Sequence, residues 1–314
     1  MKNKNKCQIC KKKINSKLVK TRSGNKLKIF QCLSCDFEYF PEEKTKNLKQ
    51  DKLDSYRLSN AGLSLIKKRQ DIINGSLQSA EYITKHFTKK KIKVLDIGCS
   101  WGSFLKECKK KGHQVYGLEI NKKRNDYVNE KLKIKCFKSI KEIPSIKFNK
   151  IFLFYSLEYI RYPQSFLKKL MNFLESNGEI IIYTPNKNDH INTLLQINNY
   201  KNFFYEENSI NYFSKKTLLK ICNNLKVRYN CKFIQGYSII NFINWFFHKK
   251  PFSTGFVGKD YFIEKLLLNI QQKKNLDKKT KLLFMNFFTK VNKNFKKLII
   301  SRDISNTIIL KIKC

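Results

Sequence analysis

The sequence is poor in acid. Its 314 residues include 24 Asp and Glu against 65 Lys and Arg, a formal net charge of +41. That shortage excludes an acidic-tail protein. It does not exclude an enzyme, because 41% of the residues are hydrophobic and 13% aromatic. A disordered polycation would lack those side chains. Arginine is scarce as well, at seven of the 65 basic residues. Arg is the side chain whose planar fork suits bidentate phosphate contact. Its scarcity, beside abundant Lys, Asn and Ile, favours compositional drift toward AT-rich codons over selection for a nucleic-acid partner. Net charge in any case speaks to association and solubility rather than to fold.

Long apolar runs are missing. No stretch of about 18 apolar residues occurs, so no transmembrane helix is expected. The start, Met1-Lys-Asn-Lys-Asn-Lys6, has no apolar core of a signal peptide. The chain is therefore expected in the cytoplasm, with peripheral contact at the inner membrane face as the variant of that reading. No internal repeat is present. The length fits one large domain, or one domain with a small appendage.

Cysteine is not scarce. Four of the ten form two knuckles, Cys7-x-x-Cys10 and Cys32-x-x-Cys35, with 21 residues between them. Ser23-Gly24-Asn25 is a turn signal inside that interval. Two such knuckles flanking a hairpin can place four thiolates at the corners of a tetrahedron, a closed structural zinc site. A disulfide pair is the alternative, disfavoured in a reducing compartment. Residues 1–41 are thus expected to be a zinc ribbon whose folding free energy comes largely from the metal.

Residues 42–91 are polar, with Leu63, Ile66, Ile73, Leu77 and Ile83 near helical spacing. They read as a helical linker. From residue 92 to 314 short apolar strands alternate with helices, the pattern of a parallel sheet covered on both faces. Strands are expected at 94–97, 114–119, 134–137, 151–155, 180–184, 227–234 and 307–312. Helices are expected at 103–111, up to about 132, at 164–175 and at 214–225. Residues 186–211 read as a polar loop. Residues 237–300 read as a helical insertion before the last strand.

One segment carries the chemistry. In Val94-Leu-Asp-Ile-Gly-Cys-Ser-Trp-Gly102 a strand ends on an acid, and two glycines flank a turn that opens a helix. Glycine there lets the backbone approach a ligand closely. Glu119 ends the next strand, where a carboxylate can accept both hydroxyls of a ribose.

Asp-x-Gly-x-x-x-Gly with an acid closing the second strand resembles the class I S-adenosylmethionine-dependent methyltransferases. It differs from the Gly-x-Gly-x-x-Gly fingerprint of dinucleotide binders. Later segments extend the resemblance: Phe154-Tyr-Ser-Leu-Glu-Tyr159, Gly178 to Asn186, and Tyr212-Phe-Ser214. It covers roughly residues 92–235 and 305–313. The resemblance implies a Rossmann-like seven-stranded α/β fold with an antiparallel last strand. A ribbon followed by such a domain also resembles zinc-ribbon methyltransferases associated with sugar and surface-polysaccharide modification.

Carried over by position, the resemblance assigns Gly98 and Gly102 to the methionine end of the cofactor. Asp96 would anchor the loop and the cofactor's amino group. Glu119 would hold the ribose and Ile120 flank the adenine. Cys99, Ser100 and Trp101 in the same loop, with Tyr155, complete the expected cofactor set. Ser100 departs from the pattern by standing where many relatives have glycine. Tyr159 stands where histidine is frequent. Candidate catalytic residues are His190, Glu158 and Tyr159.

The resemblance leaves the acceptor open. A small molecule or saccharide is the first reading. RNA is the rival, given the charge and the ribbon. Against it, the place of the Asn/Asp-Pro-Pro-aromatic segment of amino-methylating nucleic-acid enzymes reads Tyr155-Ser-Leu-Glu158, and no Cys nucleophile is present there. Residues 151–186 also carry three basic and three acidic groups, a net of zero. A phosphate-tracking enzyme should concentrate its cations at the site. The third reading is a non-catalytic binding module. The aromatic segment 237–247, followed by His248-Lys-Lys, suggests a lid or a membrane-interfacial helix.

Overall fold

The computed structural model describes residues 6–41, 91–249, 272 and 277–313. The linker expected over 42–91 lies, apart from Lys91, outside the described residues, as does the middle of the 237–300 segment.

The main sheet has seven strands: β4 (Lys93–Ile97), β5 (Gln114–Leu118), β6 (Lys135–Phe137), β7 (Phe148–Phe154), β8 (Leu174–Pro185), β10 (Arg228–Ile234) and β11 (Thr307–Lys313). Their order is β10-β11-β8-β7-β4-β5-β6. β4, β5, β6, β7 and β8 pair in parallel, and β11 runs antiparallel to both β8 and β10. This is the α/β sheet expected from the sequence, with its reversed final strand.

Apolar side chains point to alternate faces along each strand, as the two-residue period of a strand requires. On one face Val94, Phe152, Ile181, Tyr183 and Ile309 pack under α1 (Ser103–Lys110) and α2 (Lys122–Glu130). On the other, Leu95, Leu153, Ile182 and Leu310 pack against α3 (Pro163–Met171) and α5 (Lys215–Leu225). Burial on both faces explains why these strands read as continuous apolar runs. Ser214 caps α5 as expected, its hydroxyl accepting from the Thr217 amide at 3.3 Å.

The helix expected over 164–175 stops at Met171. Leu174 pairs with Phe148, so the chain has already entered β8. The loop expected over 186–211 holds α4 (Asn198–Phe204) and the short strand β9 (Asn211–Tyr212). The described parts of the 237–300 segment are helical: α6 (Ile239–His248) and most of α7 (Lys278–Ser301).

The ribbon consists of β1 (Asn15–Lys20), β2 (Lys26–Cys32) and β3 (Phe37–Tyr39). Its sheet does not end there. β9 pairs with β3, Tyr212 opposite Glu38 and Asn211 opposite Tyr39. Four strands, three from the ribbon and one from the main domain, make one sheet. Phe37 stacks on Phe213 at 5.6 Å, and Thr217 Oγ1 donates to the Cys35 carbonyl at 2.9 Å. Strand addition of this kind satisfies the edge of a small sheet and fixes its position.

Candidate active site and thiol cluster

β4 ends at Ile97, and the chain turns through three left-handed residues before α1: Gly98 (φ +73°), Ser100 (φ +50°) and Gly102 (φ +71°). Only glycine adopts this region without strain. Gly98 is also crowded. A Cβ there would come within 2.5 Å of Ser156 Oγ, which itself bonds the Phe154 carbonyl at 3.0 Å. Ser156, just past β7, therefore forms the seat of the glycine turn. Nothing in its sequence context announced this.

Ser100, standing where glycine is common, is tied down by a specific bond. Its amide donates to Glu119 Oε2 at 2.9 Å. The other carboxylate oxygen of Glu119 accepts from the Asn121 amide at 2.9 Å. Glu119 thus clamps the glycine turn to the start of α2. Each oxygen keeps a further lone pair, enough to accept a ribose hydroxyl. Asn125, buried in α2, ties the same corner by donating to the Glu119 carbonyl at 3.2 Å and the Phe137 carbonyl at 3.0 Å. An Asn within a helix gave no signal of that role.

Asp96 is buried, and its Oδ1 has no hydrogen-bond partner. Burial, with Glu119 nearby, pushes its carboxyl up to about 8. An unsatisfied buried acceptor of this kind is costly unless something pairs with it. A cationic amino group would do so. Ile120, directly after Glu119, is 62% exposed and offers an apolar face. Trp101 lies edge-on to Tyr127 at 5.3 Å. The acids, the turn and the exposed Ile120 fit the parts of S-adenosylmethionine: a cation, a ribose and a flat base.

Cys99 does not face the same way. Its side chain is buried, with Sγ 3.6 Å from Cys136 Sγ. Only its backbone could line a cofactor. Tyr155, left-handed at φ +49°, is held by its hydroxyl against Thr307 Oγ1 at 3.0 Å on the reversed last strand.

The three candidate catalytic residues are placed differently. Tyr159 is exposed. Glu158 is buried, accepts from Thr184 Oγ1 at 3.4 Å, and has its carboxyl pushed up to about 8 by burial. His190 is 0% exposed, between Phe242 of α6 and Phe295 of α7, and burial lowers it to about 4. In this conformation an acceptor cannot reach it. The sequence placed His190 in the polar loop expected over 186–211, but the aromatics of the two late helices close over it.

In the ribbon, the sulfurs of Cys7, Cys10, Cys32 and Cys35 all lie within 4.8 Å of one another. Cys7 and Cys35 are 3.6 Å apart, and Cys10 and Cys32 are 3.3 Å apart. These are far too long for disulfides. A tetrahedron with metal–sulfur bonds of about 2.3 Å has edges of about 3.8 Å. The quartet therefore has the donor chemistry and spacing of a zinc site.

Residues 74–226 match a family model described as a methyltransferase domain. A search of curated proteins finds no match. Among solved structures, a SAM-dependent methyltransferase from Archaeoglobus fulgidus is 17% identical, with 83% of this chain and 99% of that one covered and a TM-score of 0.49. A second, from Mesorhizobium loti, is 9% identical over 77% of this chain and 99% of that one, at a TM-score of 0.47. The plantazolicin methyltransferase BpumL, in complex with SAH, is 17% identical over 87% and 98%, at 0.43. The family match over 74–226, just under half of the chain, identifies that part as a methyltransferase domain, and the structure folds it in this strand order around a glycine turn clamped by Glu119.

Proposed function

We propose that this methyltransferase acts on a saccharide or a small hydroxylated molecule, and that its ribbon holds a structural zinc ion. The observation that carries the acceptor reading is a run of tyrosines leaving the edge of β7. Tyr155, Tyr159 and Tyr162 are 39%, 43% and 40% exposed within eight residues. Aromatic faces flanked by hydroxyls suit the apolar faces and hydroxyl rims of sugars. Arg161 and Glu158 balance in charge over the same stretch. A polyanion would find little there to hold it.

Bound S-adenosylmethionine supplies an electrophilic methyl group on a sulfonium. The chain's own residues must hold an acceptor in line with it and receive a proton if the acceptor is a hydroxyl. Asp96 and Glu119 fix the cofactor end through the turn they border. Glu158 is buried, as His190 is, and its carboxyl, raised to about 8, is mostly protonated at neutral pH, so neither residue receives the acceptor's proton in this conformation. Tyr155 and Tyr159 position the acceptor.

The test is methyl transfer from labelled S-adenosylmethionine to sugar nucleotides and oligosaccharides beside RNA oligomers, at low and high salt. Salt-insensitive transfer to a sugar supports the reading. Transfer to RNA that falls steeply with salt would replace it.

A further inference from the structure

The apolar exposure among the described residues is concentrated on the two late helices. Of the seventeen large apolar side chains exposed among the described residues, nine are on α6 and α7. Ile243, Phe246 and Phe247 project from α6, and Phe247 is 70% exposed. Six more project from α7, among them Leu283, Phe287 and Leu298, with Phe287 at 60%.

α7 already has an inward face. Asn292 and Ile299 are buried there, and Asn292 Oδ1 accepts from the Ile239 amide at 3.1 Å. At about 100° per residue, Leu283, Phe287 and Leu298 fall on the opposite side. A helix on a globular surface should be polar there. Instead this face interleaves apolar side chains with Lys279, Lys290 and Lys297, all exposed. α7 carries seven Lys and no Asp or Glu. No helix among the described residues is long and apolar enough to cross a membrane. Apolar groups on an outward face, ringed by lysines whose stems can snorkel, mark a helix that lies on a bilayer surface.

We propose that the outward faces of α6 and α7 form a docking surface for an anionic lipid bilayer. Charge selects this occupant. A second copy would bring the same acid-free, lysine-rich α7 face against the first, and like charges would oppose the contact. Anionic headgroups neutralise those lysines while the Phe and Leu side chains enter the acyl boundary. The surface does not depend on which acceptor is methylated.

The experiment is flotation of the full chain with phosphatidylcholine vesicles, with and without about one third phosphatidylglycerol, at low and high salt. The double variant L283S/F287S is the comparison. S-adenosylmethionine binding by calorimetry shows that each protein is folded. We expect the parent to float with the anionic vesicles, to be released by high salt and to ignore neutral ones. The variant, still binding S-adenosylmethionine, should float about tenfold less. The proposal is overturned if the parent does not float, or if the folded variant floats as well as the parent. It is overturned equally if light scattering shows a dimer that the variant dissolves.

Discussion

Lys187 donates to Glu38 Oε1 at 3.1 Å, joining the exit of β8 to the middle of the ribbon. Both side chains are less than a tenth exposed. Glu38 also accepts from Lys17 at 3.0 Å, Gln31 at 2.9 Å and Tyr205 at 2.8 Å. Burial alone would raise its carboxyl, but the ammonium groups of Lys187 and Lys17 outweigh it and hold it below the ordinary value. Lys187 bridges in addition to Asp36 at 2.7 Å. The ribbon is therefore joined to the segment that follows the fifth strand of the catalytic sheet by a buried charge network.

Removing one member of a buried pair leaves the other uncompensated, at a typical loss of about 3 kcal/mol. Lys187→Met should destabilise the chain by about that amount. Urea unfolding of the parent, Lys187→Met, Glu38→Gln and the double variant gives the coupling. Additive losses would show that the two residues do not act as a pair.

Zinc should measure one ion per chain by metal analysis. Chelation should lower the melting temperature, because the small ribbon lacks the core to stay folded alone. Cys32→Ser should reproduce the chelated melt and then gain nothing from added zinc. A chain with no zinc and four freely titrating knuckle thiols contradicts the site.

Glu119→Ala should weaken S-adenosylmethionine binding by roughly ten- to a hundredfold. A charge-assisted hydrogen bond contributes about 1.5–3 kcal/mol, which corresponds to that factor in affinity. Part of that loss comes from freeing the Ser100 amide, so the turn itself should loosen. Unchanged binding in calorimetry would remove Glu119 from the cofactor site.

Gly98→Ala meets two obstacles, a positive φ and a clash with Ser156. A left-handed conformation costs a non-glycine residue about 1–2 kcal/mol. G98A should lose at least that in stability, and S156A should restore part of the loss by removing the hydroxyl. If S156A restores nothing, the crowding seen at 2.5 Å is not what limits that position.

Asp96 and Glu158 both stand at about 8, raised by burial. A carboxyl raised in the folded state binds its proton more tightly there than in the unfolded chain. Its contribution is full below the unfolded value near 4 and is lost as pH rises through 8. Without cofactor, stability should therefore fall between about pH 5 and pH 8. Asp96→Asn should flatten that slope, as read from urea midpoints across the range. A cationic ligand beside Asp96 favours the ionised form, so binding near pH 7 should release a proton. Calorimetry in buffers of different ionisation enthalpy measures it.

What the sequence determined is local. The alternation of apolar runs and amphipathic stretches set the α/β sheet. The acid–glycine turn between Asp96 and Gly102 marked the left-handed bend that opens α1, and two Cys knuckles marked the ribbon. Each of these is a signal within a few neighbouring residues, where period, turn chemistry and ligand spacing act. What the tertiary structure decided is pairing at a distance. β9 adds itself to a sheet some 170 residues upstream. Glu38 meets Lys187, 149 positions away, and Ser156 seats Gly98. His190 is shut in by rings from α6 and α7, and Cys99 turns inward to Cys136. No periodicity records such contacts, because each depends on how two separately formed elements pack. Burial then sets the charge state of the groups they enclose.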